Sequence, residues 1–296
     1  MVRAVSAPPF LTPPPGVRRL ELETARGTFA VLEALPGSRP PERHPALLVP
    51  GFTGSKEDFI AVLLALTKDG RRVISFDQRG QYETPGSADP ADYTCAALAT
   101  DVGALLDELG AARAHLVGHS FGGLVAREFA IAEPSRLASV TIMSSGPAAI
   151  SGAPAERVRA LRDALTHLEL GHIWDNYLEP EAVADGRPAE LISFLRKRMI
   201  SNSPIGMTGM IDGLISAPDR VDALAKVLAE TGLPALVLFG ADDDVWKPAV
   251  QAAMADRLAA RKVVLPGAAH SPAVEAPDAT ARILADFWIE VERGSS

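Results

Sequence analysis

Unbroken apolar runs alternate with segments of helical periodicity along most of the chain. The runs typical of buried strands are PALLVPG, RRVISFDQRG, AHLVGHS, LASVTIMSSGP, PALVLFG and KVVLPG. Apolar residues recur at helical spacing in KEDFIAVLLALTKDG, CAALATDVGALLDELG, FGGLVAREFAIAEP, PAVQAAMADRLAA and TARILADFWIEVE. Apolar strands that alternate with helices predict an α/β fold in which a mostly parallel, doubly wound sheet is covered on both faces.

Two segments depart from this alternation. The stretch RRLELETARGTFAVLEALPG has two short alternating runs around residues 25–27, which predicts an antiparallel hairpin. Later come only helical patterns, AERVRALRDALTHLEL, AELISFLRKRMI, SPIGMTGMIDGLI and DRVDALAKVLAE. A helical insert within a doubly wound sheet is most simply a cap over the strand ends. The predicted organisation is a flexible, proline-rich N-terminal arm (1–16), an α/β core (17–150 and 231–296) and an inserted helical cap (151–230).

Composition and charge exclude several classes of partner. The 296 residues are 47% apolar and 22% charged, as in a soluble globular protein with a substantial core. The formal net charge is −8 and no basic cluster is present, which argues against nucleic acid or an anionic membrane as a partner. No apolar run is long enough for a membrane span or a secretory signal, so a cytoplasmic location is expected. No pattern indicates the oligomeric state.

The single cysteine excludes an intramolecular disulfide. Cys95 follows Thr94, an expected helix N-cap, and opens the predicted helix after it. A helix N-terminus can lower the pKa of a thiol, so a reactive Cys95 is conceivable. Packing of a small side chain under a helix is the simpler interpretation.

The segment Gly118-His119-Ser120-Phe121-Gly122 lies between a predicted strand and a predicted helix. It fits the pattern G-x-S-x-G, in which a very tight strand-to-helix turn lifts the serine hydroxyl clear of the sheet. The serine then sits at a helix N-terminus, whose free N–H groups face any negative charge that develops nearby. A serine that merely caps a helix could give the same sequence pattern, but the strand before it and the helix after it favour Ser120 as a nucleophile.

A serine hydroxyl needs a base to take its proton. Of the six histidines, His270 follows the last predicted strand and so reaches the same sheet edge as Ser120. His44 lies in a proline-rich loop, His115 begins a strand and His119 is beside the serine. The histidines at positions 167 and 172 are on predicted cap helices. Consecutive side chains point apart at a tight turn, which argues against His119. His270 is therefore the predicted base.

The imidazole needs an acid that fixes its tautomer. The preceding strand ends in VLFGADDDVW, which supplies Asp242, Asp243 and Asp244. No carboxylate follows the earlier strand VTIMSSGP, so the alternative acid position is empty. The three acids could instead form a solvated loop or a weak cation site, but no second acidic cluster completes hard-metal coordination, and no metal is expected.

The order serine, aspartate, histidine resembles that of the α/β-hydrolase superfamily over essentially the whole chain after Val17. The resemblance implies an acid at the third residue after the glycine that closes the strand, which is Asp243, with Asp242 as the alternative. It also implies an oxyanion hole of two backbone N–H groups, from Phe121 and from Phe52. The family typically has His-Gly before the second donor, whereas this chain has proline at position 50. That change keeps the donor but removes a side chain that often braces the loop.

Four further residues are candidates for substrate contact. The segment FDQRGQYETPG has Tyr82 and Thr84 where the family pattern D-x-R-G-x-G-x-S has glycine and serine. Tyr82 is thus a candidate at the pocket mouth, or simply packs in its loop. Met207 and Met210 belong to a methionine-rich cap stretch that lines an apolar pocket or packs in the core, and Trp246 could form a wall. Asp77 and Arg79 are expected to brace loops near the site.

The resemblance implies a serine hydrolase that cleaves small, mostly apolar carboxylic esters or related acyl compounds through an acyl-serine intermediate. The partner is then a small-molecule substrate, and no cofactor is implied. Related families cleave C–C bonds, open lactones, trim N-terminal proline or make peracids from carboxylates and peroxide, and these remain alternatives. Dehalogenases and epoxide hydrolases usually carry aspartate where Ser120 stands. A ligand receptor without turnover is the alternative of another class.

Overall fold

A computed structural model describes residues 6–37 and 43–294. These residues form one eight-stranded sheet with the strand order β1-β2-β4-β3-β5-β6-β7-β8. The strands are β1 (Val17–Thr24), β2 (Gly27–Ala34), β3 (Ala46–Val49), β4 (Val73–Phe76), β5 (Ala114–His119), β6 (Leu137–Met143), β7 (Ala235–Gly240) and β8 (Arg261–Leu265). From β4 to β8 all neighbouring strands are parallel, which confirms the predicted α/β fold.

The predicted hairpin is present as β1 and β2, which pair antiparallel and attach to the sheet through β4. The Thr24 hydroxyl closes the turn because it accepts a hydrogen bond from the N–H of Arg26 (3.0 Å) and donates one to the carbonyl of Gly27 (2.8 Å). Gly27 has a φ of +118°, a conformation that L side chains rarely adopt, so glycine suits this position.

Helices cover both faces of the sheet. They are α1 (Leu63–Leu66), α2 (Cys95–Glu108), α3 (Phe121–Ala132), α4 (Gly152–Leu165), α5 (Leu170–Ile173), α6 (Glu179–Ala184), α7 (Ala189–Ile200), α8 (Pro204–Ser216), α9 (Val221–Thr231), α10 (Pro248–Arg257), α11 (Pro272–Glu275) and α12 (Pro277–Gly294). Short 3₁₀ turns occupy Lys56–Phe59, Pro90–Tyr93 and Pro134–Arg136, and one π-helical turn spans Trp174–Leu178. One apolar cluster, which includes Leu98 and Phe129, joins α2 and α3 to the sheet, and a second, which includes Leu66 and Trp288, joins α1 and α12 to it.

The expected helix over KEDFIAVLLALTKDG is wrong as a continuous element. The chain forms the 3₁₀ turn Lys56–Phe59 and then only the short α1. Lys56 and Asp58 are buried and bound to partners outside the segment, the backbone N–H of Lys56 to Asp77 and the carboxylate of Asp58 to Arg198. These bonds fix the backbone in a conformation that the apolar spacing alone does not indicate.

Within residues 151–230 all regular structure is helical, as the pattern predicts, and α5, α6 and the π turn add to the helices expected there. Helix α8 lies against the core with little space between them. A Cβ added at Gly206 would come within 2.6 Å of the Tyr93 ring, one at Gly209 within 2.6 Å of the Tyr93 Cβ, and one at Gly213 within 2.9 Å of the Phe121 ring. Glycines on this face of α8 therefore let the helix approach the core closely.

The predicted N-terminal arm lies partly outside the described residues. Residues 6–16 have no helix or strand, and at their start Ser6 accepts a hydrogen bond from the guanidinium of Arg198 on α7. Ala7 packs against the apolar cluster of the cap, and Pro8 is buried. None of the helices in residues 6–37 and 43–294 combines the length and apolarity needed to cross a bilayer.

Candidate active site

Ser120 occupies the turn between β5 and α3 in a strained backbone conformation, with φ of 54° and ψ of −120°. The glycines on either side permit this turn. A Cβ at Gly118 would lie 2.1 Å from the carbonyl oxygen of Gly122, and a Cβ at Gly122 would lie 2.5 Å from the carbonyl oxygen of Pro50. The turn thus needs glycine at both positions for steric reasons, and strain of this kind persists only where the surrounding structure holds it.

The structure brings Ser120 and His270 together across the carboxyl edge of the sheet. The Oγ of Ser120 lies 2.9 Å from Nε2 of His270, which follows β8 on the loop before α11. Ser120 is 7% exposed, whereas the His270 side chain is 21% exposed. The reactive pair is therefore shielded but reached by solvent on the imidazole side.

Asp243, and not Asp242, completes the arrangement. Oδ1 of Asp243 lies 3.0 Å from Nδ1 of His270 and accepts a bond from the N–H of Val245 at 3.0 Å, while Oδ2 accepts a bond from the Gln251 amide at 2.8 Å. Asp243 is buried and Asp242 is exposed. Of the two candidates that the sequence leaves open, the structure brings only Asp243 into contact with the histidine.

The electrostatics fix the proton positions of this trio. Burial opposes the charge of Asp243, but the hydrogen bond and electrostatic interaction with His270, with the bonds from Val245 and Gln251, lower the pKa of the carboxyl below its usual value. An ionised carboxylate accepts, so Nδ1 of His270 carries the proton and Nε2 is left to accept the hydroxyl proton of Ser120. This is the tautomer that a general base next to a serine requires.

His119 forms a hydrogen bond to the backbone of His270, a contact that the sequence does not indicate. It is buried, and its Nε2 lies 2.7 Å from the backbone carbonyl oxygen of His270. Burial, and then the proximity of His270, lower the pKa of His119 to about 4. Its imidazole is therefore neutral at neutral pH, so Nε2–H donates to the carbonyl without adding a second positive charge beside His270.

The loop after β3 lies against the serine turn. A Cβ at Gly51 would lie 3.0 Å from the Cβ of Ser120, a tighter contact than most Cβ atoms make, so glycine suits this position. The next residue is Phe52, whose backbone N–H donates no hydrogen bond within the described residues. Phe121 is the first residue of α3 and has no intrahelical acceptor for its N–H. Both expected oxyanion donors thus retain free N–H groups beside the serine.

Three of the four predicted substrate contacts are Trp246, Met210 and Met207. The Trp246 ring centroid is 6.3 Å from that of His270, and its indole N–H donates to the carbonyl of Ala148 at 3.2 Å. Met210 lies in the core cluster under the cap, and Met207 lies in the apolar cluster of the cap itself, which also contacts Phe52. Their roles in binding stay predictions.

Tyr82 is the fourth of these residues, and it is buried with a φ of 43°. Its ring packs edge-on against that of Phe194 on α7, with centroids 5.6 Å apart. The amines of Lys56 and Lys197 lie 4.8 and 5.6 Å from its ring centroid. These contacts place Tyr82 between the core and α7, and its role in substrate binding stays a prediction.

A buried charge cluster that sequence reasoning missed lies at the start of the loop after β4, which also carries Tyr82. The amine of Lys56 lies 2.8 Å from Oδ2 of Asp77 and 3.3 Å from Oε1 of Glu57, and it also contacts Glu83. Burial raises the pKa of Asp77 to about 7, against the opposing charge of Lys56. Asp77 therefore braces this loop, as expected. Among residues 6–37 and 43–294, no group of three His, Cys, Asp or Glu side chains is arranged to hold a metal ion.

Arg79 and Cys95 both have structural roles rather than chemical ones. Arg79 pairs with Asp101 at 2.7 Å and donates to the carbonyl of Arg26, which joins three elements below the site. Burial raises the pKa of the Cys95 thiol to about 12, so the thiol stays protonated at neutral pH and the packing interpretation holds.

A surface groove of about 870 Å³ lies at the opposite end of the sheet. Its walls include Leu137, Ala235 and Arg261, which are the first residues of β6, β7 and β8. Ser120, Asp243 and His270 all follow the carboxyl ends of their strands. The groove is therefore separate from the trio, and ligands of open α/β sheets bind at the carboxyl edge.

Comparison with known proteins identifies the family. The family description "alpha/beta hydrolase fold" matches residues 45–277, which hold the serine turn, the aspartate loop and the histidine. The chain belongs to the α/β-hydrolase fold family. This confirms the resemblance noted in the sequence.

Individual relatives differ in the reaction that they are named for. Over 106 residues the chain is 41% identical to the candidate carbamate hydrolase RutD of Variovorax paradoxus, which covers 36% of this chain and 40% of that protein. Over 194 residues it is 32% identical to epoxide hydrolase B of Mycobacterium tuberculosis, which covers 64% of this chain and 52% of that protein. The matches thus span about two fifths to half of the length of these curated relatives.

Among solved structures, a thermophilic esterase from Thermogutta terrifontis superposes with a TM-score of 0.72 at 26% identity. The match covers 93% of this chain and 99% of that one. The fold is therefore shared with an esterase over nearly the full length of both chains.

Proposed function

We propose that this protein is a serine hydrolase that cleaves small, mostly apolar carboxylic esters or related acyl compounds. The observation that carries the proposal is the continuous hydrogen-bonded chain from Ser120 through His270 to Asp243, with distances of 2.9 and 3.0 Å. The esterase among the similar structures supports an ester, and the carbamate hydrolase among the relatives supports an acyl carbon that bears nitrogen.

In the first step, Oγ of Ser120 attacks the acyl carbon while Nε2 of His270 takes the hydroxyl proton. Asp243 stabilises the imidazolium through Nδ1–H, and the N–H groups of Phe52 and Phe121 stabilise the negative charge on the acyl oxygen. His270 then gives its proton to the leaving alcohol or amine, and the acyl group remains on Ser120.

In the second step, Nε2 of His270 takes a proton from water, and the resulting hydroxide attacks the acyl carbon of the ester on Ser120. Collapse of the second tetrahedral intermediate returns the proton to Ser120 and releases the acid. The apolar surroundings of the trio, with Trp246 close to the imidazole, favour an uncharged acyl or alcohol group.

The nucleophile distinguishes this reaction from that of the epoxide-hydrolase relative. Enzymes of that type usually carry aspartate at the position of Ser120, and a carboxylate nucleophile forms an ester with the substrate carbon itself. With serine in the turn, attack on an acyl carbon is the chemistry that the His270 base supports. The C–C, lactone and peptide alternatives use the same trio and differ only in the bond presented to it.

The test is a panel of p-nitrophenyl acyl esters of increasing chain length, hydrolysed by the wild type and by Ser120→Ala. We expect turnover with short or medium acyl chains and a loss of at least about 10³-fold in Ser120→Ala. The chain-length optimum would measure the acyl pocket. Stoichiometric binding of these compounds without product release would contradict the proposal and favour a receptor.

A further inference from the structure

The oxyanion loop is held by a side-chain amide that the reaction scheme does not use. The carbonyl oxygen of Gly51 accepts a hydrogen bond from Nε2 of Gln81 at 2.9 Å and another from the backbone N–H of Gly54 at 3.1 Å. Gln81 is 1% exposed and comes from the loop after β4, thirty residues along the chain. The contact is therefore a buried tertiary bond onto the loop that precedes Phe52.

The orientation of this amide is fixed by its second partner. Oε1 of Gln81 accepts a hydrogen bond from the backbone N–H of Gln78 at 3.3 Å, and the backbone N–H of Gln81 donates to the carbonyl of Gln78 at 2.8 Å. If the amide were flipped, Oε1 would face the carbonyl of Gly51 and Nε2 would face an N–H. Both bonds would then be lost inside the core, where unpaired polar groups are costly.

The carbonyl that Gln81 binds belongs to the same peptide unit as the N–H of Phe52. In a planar trans peptide the C=O and the N–H point in opposite directions, so fixing the carbonyl of Gly51 also fixes the direction of that N–H. The amide pulls on the carbonyl from the side of the β4 loop, which turns the N–H of Phe52 away from that loop.

We propose that Gln81 is a positioning residue that aims the N–H of Phe52 at the oxyanion formed on the acyl group bound to Ser120. The inference rests on the proposed function, because it assigns an oxyanion to that site. Oxyanion stabilisation depends on donors that are already in place before the charge develops. Without Gln81, only the N–H of Gly54 among the described residues would hold this peptide unit, and the donor would be in place for a smaller part of the time.

Gln78 offers a matched comparison within the same turn. It is also buried, and its Nε2 donates to the carbonyl of Pro50 at 2.9 Å. That carbonyl belongs to the peptide unit that contains the N–H of Gly51, one unit before Phe52. Both glutamines thus bind the loop equally closely, but only Gln81 binds the peptide unit that carries the oxyanion donor.

The experiment measures one chemical event at Ser120, phosphonylation by a p-nitrophenyl alkylphosphonate. Oγ forms a bond to phosphorus, p-nitrophenolate leaves with the bonding electrons, and His270 takes the hydroxyl proton. The phosphoryl oxygen gains charge in the oxyanion hole. The variants are Gln81→Met and Gln81→Leu, which remove the amide at similar volume, and Gln78→Met, with thermal unfolding measured for each.

We expect both Gln81 variants to lower the second-order rate constant about 10- to 100-fold, since complete loss of an oxyanion donor costs about 10²–10³-fold. Gln78→Met should lower it much less at a similar loss of thermal stability. With an ester substrate, kcat should fall while KM and the pH profile stay unchanged. Folded Gln81 variants that react at the wild-type rate, or a Gln78 variant that is slowed equally, would overturn the inference. A wild type that releases no p-nitrophenolate at Ser120 would overturn the proposed function and this inference with it.

Discussion

Nε2 of Gln251 donates to Oδ2 of Asp243 at 2.8 Å, the carboxylate oxygen that does not face His270. The same Nε2 also donates to the carbonyl of Trp246 at 2.7 Å, so the amide connects the acid to the loop that follows it. Gln251 lies on α10 and is fully buried. The acid is thus held on both oxygens before any substrate binds.

This contact predicts a moderate kinetic effect when Gln251 is replaced. A hydrogen bond to a charged group contributes about 1.5–3 kcal/mol, of which part is lost equally in the ground and transition states. Gln251→Leu should therefore lower kcat roughly tenfold, which corresponds to about 1.4 kcal/mol. Steady-state kinetics with an ester substrate measure the effect, and a Gln251→Leu enzyme with unchanged kcat would show that the other contacts of Asp243 suffice.

The neighbouring aspartates provide a sharper comparison. Asp243→Asn removes the acceptor charge beside Nδ1 of His270 and favours the wrong tautomer, so kcat should fall about 10³–10⁴-fold. Asp242→Asn changes an exposed side chain one residue away and should leave kcat within about twofold. Both enzymes are assayed with one ester at saturating concentration. Equal losses in the two variants would contradict the assignment of Asp243.

The pair Ser120 and His270 could be predicted because each follows an apolar strand, and the carboxyl ends of parallel strands meet at one edge of the sheet. The spacing after Gly240 that the family resemblance implies favours Asp243, but it leaves Asp242 open as the alternative. The folded loop decides between them, because the N–H of Asp242 donates to the carbonyl of Ala268 at 3.0 Å while Asp243 is buried and faces His270.

The supporting glutamines were not predictable at all. Gln81 and Gln251 look like ordinary polar residues, which are mostly exposed in proteins. Their function depends on partners that only the folded chain brings close, such as Gly51, thirty residues before Gln81. The same holds for the expected helix that begins at Lys56. Its interruption depends on bonds to Asp77 and Arg198, which the spacing of apolar residues does not reveal.

Steric closeness at the serine turn predicts that glycine is required there. Gly118→Ala would place a Cβ 2.1 Å from a backbone oxygen of Gly122, which no side-chain movement relieves. We expect this variant to lose several kcal/mol of stability and most of its reactivity toward a phosphonate.

Gly171 serves as the control for this substitution. It lies in α5 with no atom within 4 Å of an added Cβ, so Gly171→Ala should be neutral or more stable by up to about 1 kcal/mol. Urea unfolding of both variants measures the difference. A Gly118→Ala protein as stable as Gly171→Ala would show that the turn relaxes more easily than its geometry indicates.

Two buried histidines predict a loss of stability in mild acid. Burial lowers the pKa of both His115 and His119 to about 4, whereas each has its ordinary value of 6.5 in the unfolded chain. Below pH 6.5 these two sites therefore bind more protons in the unfolded chain, and their contribution to stability falls until the pH reaches about 4. Asp77 acts in the opposite direction over this window, because burial raises its pKa to about 7 in the folded protein. Each histidine contributes on the order of 3 kcal/mol over that window.

The test compares the free energy of unfolding in urea at about pH 7 and about pH 5, where most carboxyls are still ionised. His115→Gln removes one of these two histidines and should lose less stability between pH 7 and pH 5 than the wild type does, while the opposing contribution of Asp77 is the same in both proteins. His167→Gln changes an exposed histidine and should leave the pH dependence as in the wild type. If the wild type and His115→Gln show the same change in stability between the two pH values, His115 gains a proton without unfolding. Its site then admits water more readily than its buried contacts with Ser139 and Glu292 indicate.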